Sequence, residues 1–293
     1  MQVLFLFVYL QLALGLLLGV VDEQAQVRIG VANLTSAYYH FSHAVVAYCN
    51  DTILEEWRCE DCHRLGSSTS LSSIVEDPVL QGKAIITTNE ERKEVTVAFR
   101  GSNAPLNGLF TLMGGLVPME GQEDPRKVHA GFNSIITSLM PSLLPAIKKA
   151  AHGRPDYKII LTGHSLGGAL ATLAANHIHK NLTIPWQQIS VITFGQPRVG
   201  NLKFVQWYNS LPLTMARVAN INDPITLLPL SQMGYYHTLN EIFLTGPNTR
   251  ICSTSILEDP LCSIGQTTNP YLEAHHEFWD LRVAQFNCKA FRE

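Results

Sequence analysis

The chain has 293 residues, 46% of them hydrophobic, and is therefore long enough to bury a full core in one α/β domain. The formal net charge of −3 gives no long-range attraction for nucleic acid, and we expect no nucleic-acid partner. The sequence also contains no run of like charges, no heptad stretch and no internal repeat, which excludes coiled coils and solenoids.

The N-terminal segment is apolar and uncharged from Val3 to Val21, and Asp22 follows at once. This pattern predicts a secretory signal peptide over residues 1–21 and a single domain over residues 22–293, although no Lys or Arg precedes the apolar run. Because the run is long enough to cross a bilayer, an uncleaved anchor is the alternative. A buried core helix would show a polar stripe, which this segment lacks.

Cysteines and glycosylation sequons support export from the cell. The chain has six cysteines, an even number, and N-x-S/T sequons at Asn33, Asn50 and Asn181. Disulfides are the default state of cysteines in an oxidising compartment. We therefore expect a secreted, extracellular glycoprotein with these three asparagines as acceptor sites.

The first third of the chain is predicted to hold one helix and two strands. Apolar residues at helical spacing predict a helix over Ser36–Cys49, and a polar, cysteine-bearing loop follows over Asn50–Ser73. Strands are predicted over Lys83–Thr88 and Glu94–Arg100, joined by a polar turn. The apolar stretch Asn103–Pro118 is interrupted by Gly and Pro and has no clear periodicity.

Strands and helices alternate through the next part of the chain. A helical pattern from Phe132 to Ala151 contains Pro141 and Pro145, which predict a kink or a break. The elements that follow are, alternately, strands and helices: Tyr157–Thr162, Ala169–Lys180, Ile189–Phe194, Leu202–Tyr208 and Ala216–Ile221. Such alternation implies right-handed crossovers, so we expect an α/β fold with a mostly parallel central sheet and helices on both faces.

Gly163-His164-Ser165-Leu166-Gly167 is a G-x-S-x-G sequence that lies between a predicted strand and a predicted helix. This is the context of a nucleophile elbow, a turn so sharp that glycines are needed two residues either side of the serine. The N–H of Leu166, at the start of the helix, is placed to bind an oxyanion. We expect Ser165 to be the nucleophile and His164 to pack or hydrogen-bond beside it. A plain glycine-rich connection is the alternative.

A serine nucleophile needs a histidine to take its proton and a carboxylate to orient that histidine. In α/β-hydrolase-type sheets the carboxylate follows the serine along the chain, and the histidine comes last. Asp223 fits this order because it follows the predicted strand Ala216–Ile221, at the edge where parallel strands end. Glu258 and Asp259, in a cysteine-flanked loop, are alternatives, and Asp280 is a weaker one.

The histidine is harder to choose, because the chain has eleven. Three of them follow Asp223, namely His237, His275 and His276. The last two are adjacent, so residue types alone do not decide between them.

Five short segments occur along the chain in this order: Phe99–Ser102, Val128–Phe132, Thr162–Gly168, Phe194–Asn201 and Asn222–Pro224. Through them the chain resembles the fungal-type (class 3) lipase family of the α/β-hydrolase superfamily, with matches from about Tyr38 to Cys288. The resemblance implies an α/β-hydrolase fold and the hydrolysis of carboxylic esters.

The resemblance also favours one histidine. In that family the base opens an H-x-x-aromatic-aromatic segment near the C-terminus, and His275 fits because aromatic residues stand in both required places. His276 remains the alternative, although an acidic residue would then stand in the second aromatic place. The implied triad is Ser165, Asp223 and His275.

Two further features follow from the resemblance. Ser102 would supply a second oxyanion donor beside Leu166, whereas without the family pattern it would be an ordinary strand-terminating serine. The stretch Asn103–Pro118 corresponds to a mobile lid over an acyl groove; a loop packed into the core is the alternative. Gly108 stands where the lid helix of well-known fungal members carries a tryptophan, which leaves activation at interfaces open.

The cysteines contain one misleading pattern. Cys59-Glu60-Asp61-Cys62-His63 matches the C-x-x-C-H sequence of c-type haem attachment and could also be a redox or zinc half-site. No second C-x-x-C accompanies it, so we expect no haem and no metal. The resemblance implies three disulfides instead: Cys49–Cys288, Cys59–Cys62 and Cys252–Cys262.

The expected function is therefore that of a secreted serine carboxylic-ester hydrolase, most simply a triacylglycerol lipase, which acts through an acyl-enzyme without a cofactor. The expected partner is a lipid or ester substrate, at a lipid–water interface if the lid gates the site, and the expected state is a monomer. Phospholipase A1-type and feruloyl-type esterases share this chemistry. A lipid-binding protein that kept the fold but lost the reaction is the alternative from another class.

Overall fold

The computed structural model describes residues 34–102, 114–246, 248–266, 270–279, 281–283 and 288. Four features expected from the sequence lie outside the described residues: the signal peptide, the sequon at Asn33, the weaker acid candidate Asp280 and most of the lid, residues 103–113. The compact unit that contains nearly all described residues spans residues 37–293. The domain start at residue 22 therefore stays a prediction.

The secondary structure is numbered in chain order. The helices are α1 (residues 34–46), α2 (Asp51–Glu56), α3 (Glu60–Arg64), α4 (Ala130–Ala150), α5 (Leu166–Leu182) and α6 (Leu202–Asn209). The strands of the large sheet and its surroundings are β1 (Thr69–Glu76), β2 (Lys83–Asn89), β3 (Glu94–Phe99), β4 (Leu116–Pro118), β5 (Lys127–His129), β6 (Lys158–His164) and β7 (Ile189–Phe194). They continue with β8 (Gly200–Asn201), β9 (Thr214–Asn220), β10 (Tyr235–Tyr236), β11 (Glu241–Thr245), β12 (Asn248–Ile251), β13 (Glu277–Phe278) and β14 (Leu281–Arg282).

Eight strands form the central sheet in the order β1-β2-β3-β6-β7-β9-β11-β12. The five inner strands from β3 to β11 run parallel, and antiparallel strands flank them on both sides. The predicted mostly parallel α/β sheet is therefore confirmed. A smaller sheet, in the order β10-β8-β5-β4, lies outside it.

Three strands of the central sheet were missing from the sequence prediction. The segment Asn50–Ser73 was expected to be a loop, but it contains α2, α3 and the first part of β1. No strand was expected after Asp223, where β11 and β12 extend the sheet. Two of these strands, β1 and β12, lie at the edges of the sheet and are polar or short, so they form because a neighbouring strand offers unpaired N–H and C=O groups.

Helices cover both faces of the sheet, as expected. Along β2, Ala84 and Ile86 belong to the core cluster that holds the apolar faces of α4 and α5. Ile85, between them, points to the other face and belongs to a second cluster with Val46, the last residue of α1, and Leu54 of α2. Alternate residues of a strand face opposite sides, so one short apolar run serves two helical layers.

The long helix α4 is continuous, so of the predicted kink or break the break is wrong, and a kink at Pro141 or Pro145 stays a prediction. Both prolines are exposed, on the side where water can solvate the carbonyls that they leave unpaired. The opposite side carries a buried stripe at helical spacing, including Ile136, Leu143 and Ile147. By length and composition this helix could cross a membrane, yet its stripe packs into the core against the sheet.

Three disulfides join Cys49 to Cys288, Cys59 to Cys62 and Cys252 to Cys262, and they leave no free cysteine among the described residues. These are the pairs that the resemblance implies. The first bridge ties the end of the first helical segment to the C-terminal region, across 239 residues. Because Cys59 and Cys62 bond to each other, neither offers the free thiol that haem attachment or zinc binding requires.

Candidate active site

Ser165 lies at the sharp turn between β6, which ends at His164, and α5, which begins at Leu166. Its backbone has φ 58° and ψ −128°, a region that residues with a side chain rarely adopt. The N–H of Ser165 donates to the carbonyl of Phe194 at 2.8 Å, which attaches the turn to the end of β7. Strain of this kind is stored at functional sites, and it holds the partly exposed Ser165 side chain above the sheet.

The turn has room only for glycine at the two flanking positions. A Cβ at Gly163 would lie 2.4 Å from the carbonyl carbon of Gly167. A Cβ at Gly167 would lie 2.1 Å from the carbonyl oxygen of Phe99, at the end of β3. Both positions therefore need glycine, as predicted, and the second distance shows how closely β3 approaches the start of α5.

The first turn of α5 provides the electrostatic half of the site. The first N–H groups of any helix have no partner inside it, and Leu166 is the first residue of α5. The positive end of the helix dipole is directed to the same place. Ser102 follows the end of β3, the strand paired in parallel with β6, and is half-buried. Both expected oxyanion donors thus lie on segments that meet at the end of β6.

Asp223 follows β9, the strand beyond β7 in the sheet, and is fully buried. Its Oδ2 lies 2.9 Å from Nδ1 of His275. Its Oδ1 accepts the N–H of Ile225 at 2.8 Å. The carboxylate therefore has one partner for each oxygen, and one of these is the histidine that the sequence favoured.

His275 is the last residue of a short 3₁₀ turn, Leu272–His275, and its side chain is almost completely buried. Asn220, the last residue of β9, donates from its amide to the carbonyls of Ala274 at 3.1 Å and of Glu277 at 2.7 Å. These two carbonyls lie on either side of the histidine. The sequence analysis missed Asn220; the only sign of its role is its position at the end of the strand that leads to Asp223.

His276, the alternative base, lies beside this pair but outside it. Its Nδ1 has no hydrogen-bond partner among the described residues. Burial lowers the pKa of His276 to about 4, and the neighbouring His275 adds to this effect. The structure therefore brings His275, and not His276, to the carboxylate of Asp223.

The other candidates have structural partners. Glu258 forms an ion pair with the buried Arg198 at 2.6 Å, and Asp259 accepts the backbone N–H groups of Ser253 and Leu261. His237 is buried and bonds through Nε2 to the carbonyl of Thr226 at 2.7 Å. Burial also lowers its pKa well below the ordinary value. None of these three side chains contacts the Asp223–His275 pair through the bonds described for it.

Arg198, which lies in the segment Phe194–Asn201, also supports the site. Its Nη1 atom donates to the carbonyls of Leu227 and Pro229, the latter at 3.0 Å. Those carbonyls belong to the loop that follows Asp223. The ion pair between Arg198 and Glu258 therefore helps to hold the loop after Asp223 in place.

Taken together, the residues can perform nucleophilic chemistry. The strained Ser165 lies at a helix N-terminus, and a buried Asp–His pair lies at the same edge of the sheet. A hydroxyl nucleophile, a base held by a carboxylate and backbone N–H donors are the parts that acyl transfer requires. Among the described residues, neither group that could hold a metal ion lies at this site. Both groups consist mainly of cysteines that form disulfides.

Comparison with known proteins agrees with this geometry. The family model for lipase (class 3) matches residues 96–233. Secreted mono- and diacylglycerol lipase 1 of Fusarium solani is 31% identical over 236 residues, which cover 76% of this chain and 67% of that protein. The chain belongs to the class 3 lipase family. The chain is also 26% identical over 245 residues to the lipase of Rhizopus niveus, of whose length it spans 61%.

Solved structures of lipases have the same fold as this chain. It superimposes on the lipase of Rhizopus microsporus var. chinensis with a TM-score of 0.80, at 25% sequence identity, covering 88% of this chain and 90% of that one. The Rhizomucor miehei lipase in complex with its propeptide gives the same TM-score of 0.80, covering 87% of this chain and 82% of that one. The predicted α/β-hydrolase fold is confirmed.

Proposed function

We propose that this class 3 lipase is a secreted serine hydrolase that cleaves the carboxylic esters of acylglycerols. The observation that carries the proposal is the buried contact of 2.9 Å between Asp223 and His275, at the sheet edge where Ser165 occupies its strained turn. The names of its relatives, lipase and secreted mono- and diacylglycerol lipase, support the substrate class and the extracellular location.

In the proposed reaction, the Oγ of Ser165 attacks the carbonyl carbon of the ester while His275 takes the hydroxyl proton. Asp223 holds the histidine ring and stabilises its positive charge. The N–H of Leu166 and the N–H and hydroxyl of Ser102 bind the oxyanion. His275 then protonates the departing alcohol, which leaves an acyl group on Ser165. Water, activated by the same histidine, removes the acyl group.

The apolar loop beyond Asp223 is the proposed place for the acyl chain. Leu227 and Leu228 are partly buried, and Leu230 is 42% exposed. An apolar surface beside a reactive serine suits a fatty acyl chain better than a short, polar phenolic ester. All steps use groups of this chain, so we propose no cofactor, and we propose a monomer that needs no partner other than its substrate.

The test is the hydrolysis of tributyrin in a dilution series that crosses its solubility limit, with Ser165→Ala as the blank. The expected result is ester hydrolysis that this substitution abolishes. A rate that rises sharply once droplets form would indicate a lipase activated at interfaces, and a smooth saturating rate would indicate an esterase. No hydrolysis of tributyrin would contradict the proposal; activity on phospholipid or feruloyl esters alone would then move it to those substrates.

A further inference from the structure

His164, the residue before the nucleophile, is completely buried and bonded on both sides of its ring. Its Nδ1 lies 2.8 Å from the hydroxyl of Tyr48, and its Nε2 lies 2.6 Å from the backbone carbonyl oxygen of His275. A carbonyl oxygen can only accept, so Nε2 must carry the proton. In a neutral ring Nδ1 then accepts, and the Tyr48 hydroxyl is the donor.

The neutral form of this ring is well supported by its surroundings. Burial lowers the pKa of His164 well below its ordinary value, and the nearby His275 and His276 lower it further. The rings of His164 and His275 are 4.4 Å apart between centroids. His164 must remain uncharged if His275 is to become positive during the reaction, because two adjacent cations would repel each other.

Tyr48 continues the connection to the other side of the site. Its oxygen also lies against Gly101, the residue directly before Ser102. The approach is close, because a Cβ at Gly101 would lie 2.0 Å from this oxygen. The phenolic oxygen of Tyr48 therefore contacts the segment that carries Ser102, an expected oxyanion donor, while its proton is directed at His164.

We propose that Tyr48 and His164 are positioning residues. Together they hold the segment Gly101-Ser102, which carries an oxyanion donor, at a fixed position relative to the backbone of His275, the base. The proposal rests on the proposed function, since it assigns a role within that reaction. The connection starts at Gly101, which the Tyr48 oxygen contacts closely. It continues through two hydrogen bonds, from Tyr48 to His164 and from His164 to the carbonyl of His275. The carbonyl of His275 fixes the tautomer of His164, and the Tyr48 hydroxyl supports that tautomer by donating to the unprotonated Nδ1. The other tautomer would face the carbonyl with a lone pair and push His275 away from Asp223.

The first test is Tyr48→Phe, which removes only the hydroxyl. On a soluble ester such as p-nitrophenyl butyrate, kcat is expected to fall ~10-fold, the effect of losing roughly one buried hydrogen bond, while KM changes little. The matched control is Tyr208→Phe, because the Tyr208 hydroxyl is also buried but has no hydrogen-bond partner among the described residues. An unchanged kcat in Tyr48→Phe, or a loss explained by a lower folded fraction, would overturn the proposal.

A second measurement needs no substitution in Tyr48 and no activity. Nitrogen-15 NMR of protein labelled at histidine should show His164 neutral and protonated at Nε2, with the assignment made by its loss in His164→Gln. A His164 that is charged near neutral pH, or protonated at Nδ1, would overturn the proposal. If the wild-type protein hydrolyses no ester, the proposed function fails, and this spectrum still tests the hydrogen-bond arrangement separately.

Discussion

Asp223 and His275 are 52 residues apart in the sequence, yet a carboxylate oxygen of the first lies 2.9 Å from Nδ1 of the second. Both side chains are almost completely buried, so water does not compete for this contact. The remaining carboxylate oxygen is occupied by the N–H of Ile225. The aspartate can therefore hold the ring in a single orientation, with Nδ1 toward Asp223 and Nε2 free for a reacting group.

Replacing this carboxylate by an amide is expected to abolish most of the activity without unfolding the protein. Asp223→Asn keeps the side-chain shape but no longer selects the ring tautomer, so kcat should fall by roughly 10³- to 10⁴-fold. The measurement is the steady-state hydrolysis of a soluble ester. The matched control is Asp259→Asn, whose oxygen can still cap the turn before Leu261. A loss of activity in Asp259→Asn and not in Asp223→Asn would mean that the acid has been assigned to the wrong residue.

The adjacent histidines are expected to differ sharply when each is replaced. His275→Gln should remove the base and lower kcat by roughly 10³-fold or more, because the serine hydroxyl then has no acceptor for its proton. His276→Gln should retain activity within several-fold, since this ring makes no bond to Asp223 among those described. Both variants are assayed at the same concentration of folded protein. If His276→Gln were inactive and His275→Gln active, the Asp223–His275 contact would not be the acid–base pair of the reaction.

A single methyl group at Gly195 is expected to disrupt the pair. Gly195 has φ +54°, and a Cβ there would lie 2.9 Å from both Oδ2 of Asp223 and Nδ1 of His275. Gly153 is the matched control, with φ +75° but nothing within 4 Å of its Cβ position. Both alanine variants carry a similar backbone strain, of about 1 kcal/mol. Only Gly195→Ala should lose most of its kcat, and equal losses in the two variants would show that strain, and not the collision, is responsible.

The stability of the protein should fall on mild acidification. Burial lowers the pKa of His43 to about 3 and that of the neighbouring His40 well below its ordinary value, whereas in the unfolded chain both titrate near 6.5. Between these limits the unfolded chain binds more protons, so the free energy of unfolding decreases as the pH falls, by about 1.4 kcal/mol per pH unit for each histidine. This contribution is complete above about pH 6.5 and is lost progressively below it.

Urea unfolding at several pH values between neutrality and pH 4 measures this effect. His43→Phe keeps a ring between Tyr39 and His40 but cannot titrate, so its stability should depend less on pH than that of the wild type. His152→Gln, at an exposed histidine, should leave the pH dependence unchanged. If the free energy of unfolding of His43→Phe depended on pH as steeply as that of the wild type, His43 would not be a source of the acid sensitivity.

Local patterns were sufficient for the centre of the fold and for the nucleophile. The inner strand β7 is an uninterrupted apolar run, and its observed bounds, Ile189–Phe194, are those predicted. The turn at Ser165 was recognisable because its glycines are required by contacts within a few residues, together with one from the adjacent strand. Such features depend on contacts between residues that are close in the sequence, so the residue types there are enough to predict them.

Features that depend on distant partners could not be found in this way. Strand β12, Asn248–Ile251, is exposed along its whole length and has no apolar pattern, so only its pairing with β11 defines it. Tyr48 meets His164 across 116 residues, and nothing in the helix that precedes it indicates this contact. Residue types alone likewise left His275 and His276 open, because the two are adjacent and identical. The family pattern favoured His275, and the contact of 2.9 Å with Asp223 agrees with that choice.

The most direct test of the central claim is to locate the reactive serine chemically. The protein is treated with a fluorophosphonate probe, digested, and the labelled peptide is identified by mass spectrometry, with Ser165→Ala treated in parallel. We expect a single adduct on Ser165, formed rapidly in the wild type and absent from the variant, because only an activated serine reacts with such a probe. An adduct on another residue, or no adduct on the folded wild-type protein, would contradict the claim that Ser165 is the nucleophile of a serine hydrolase.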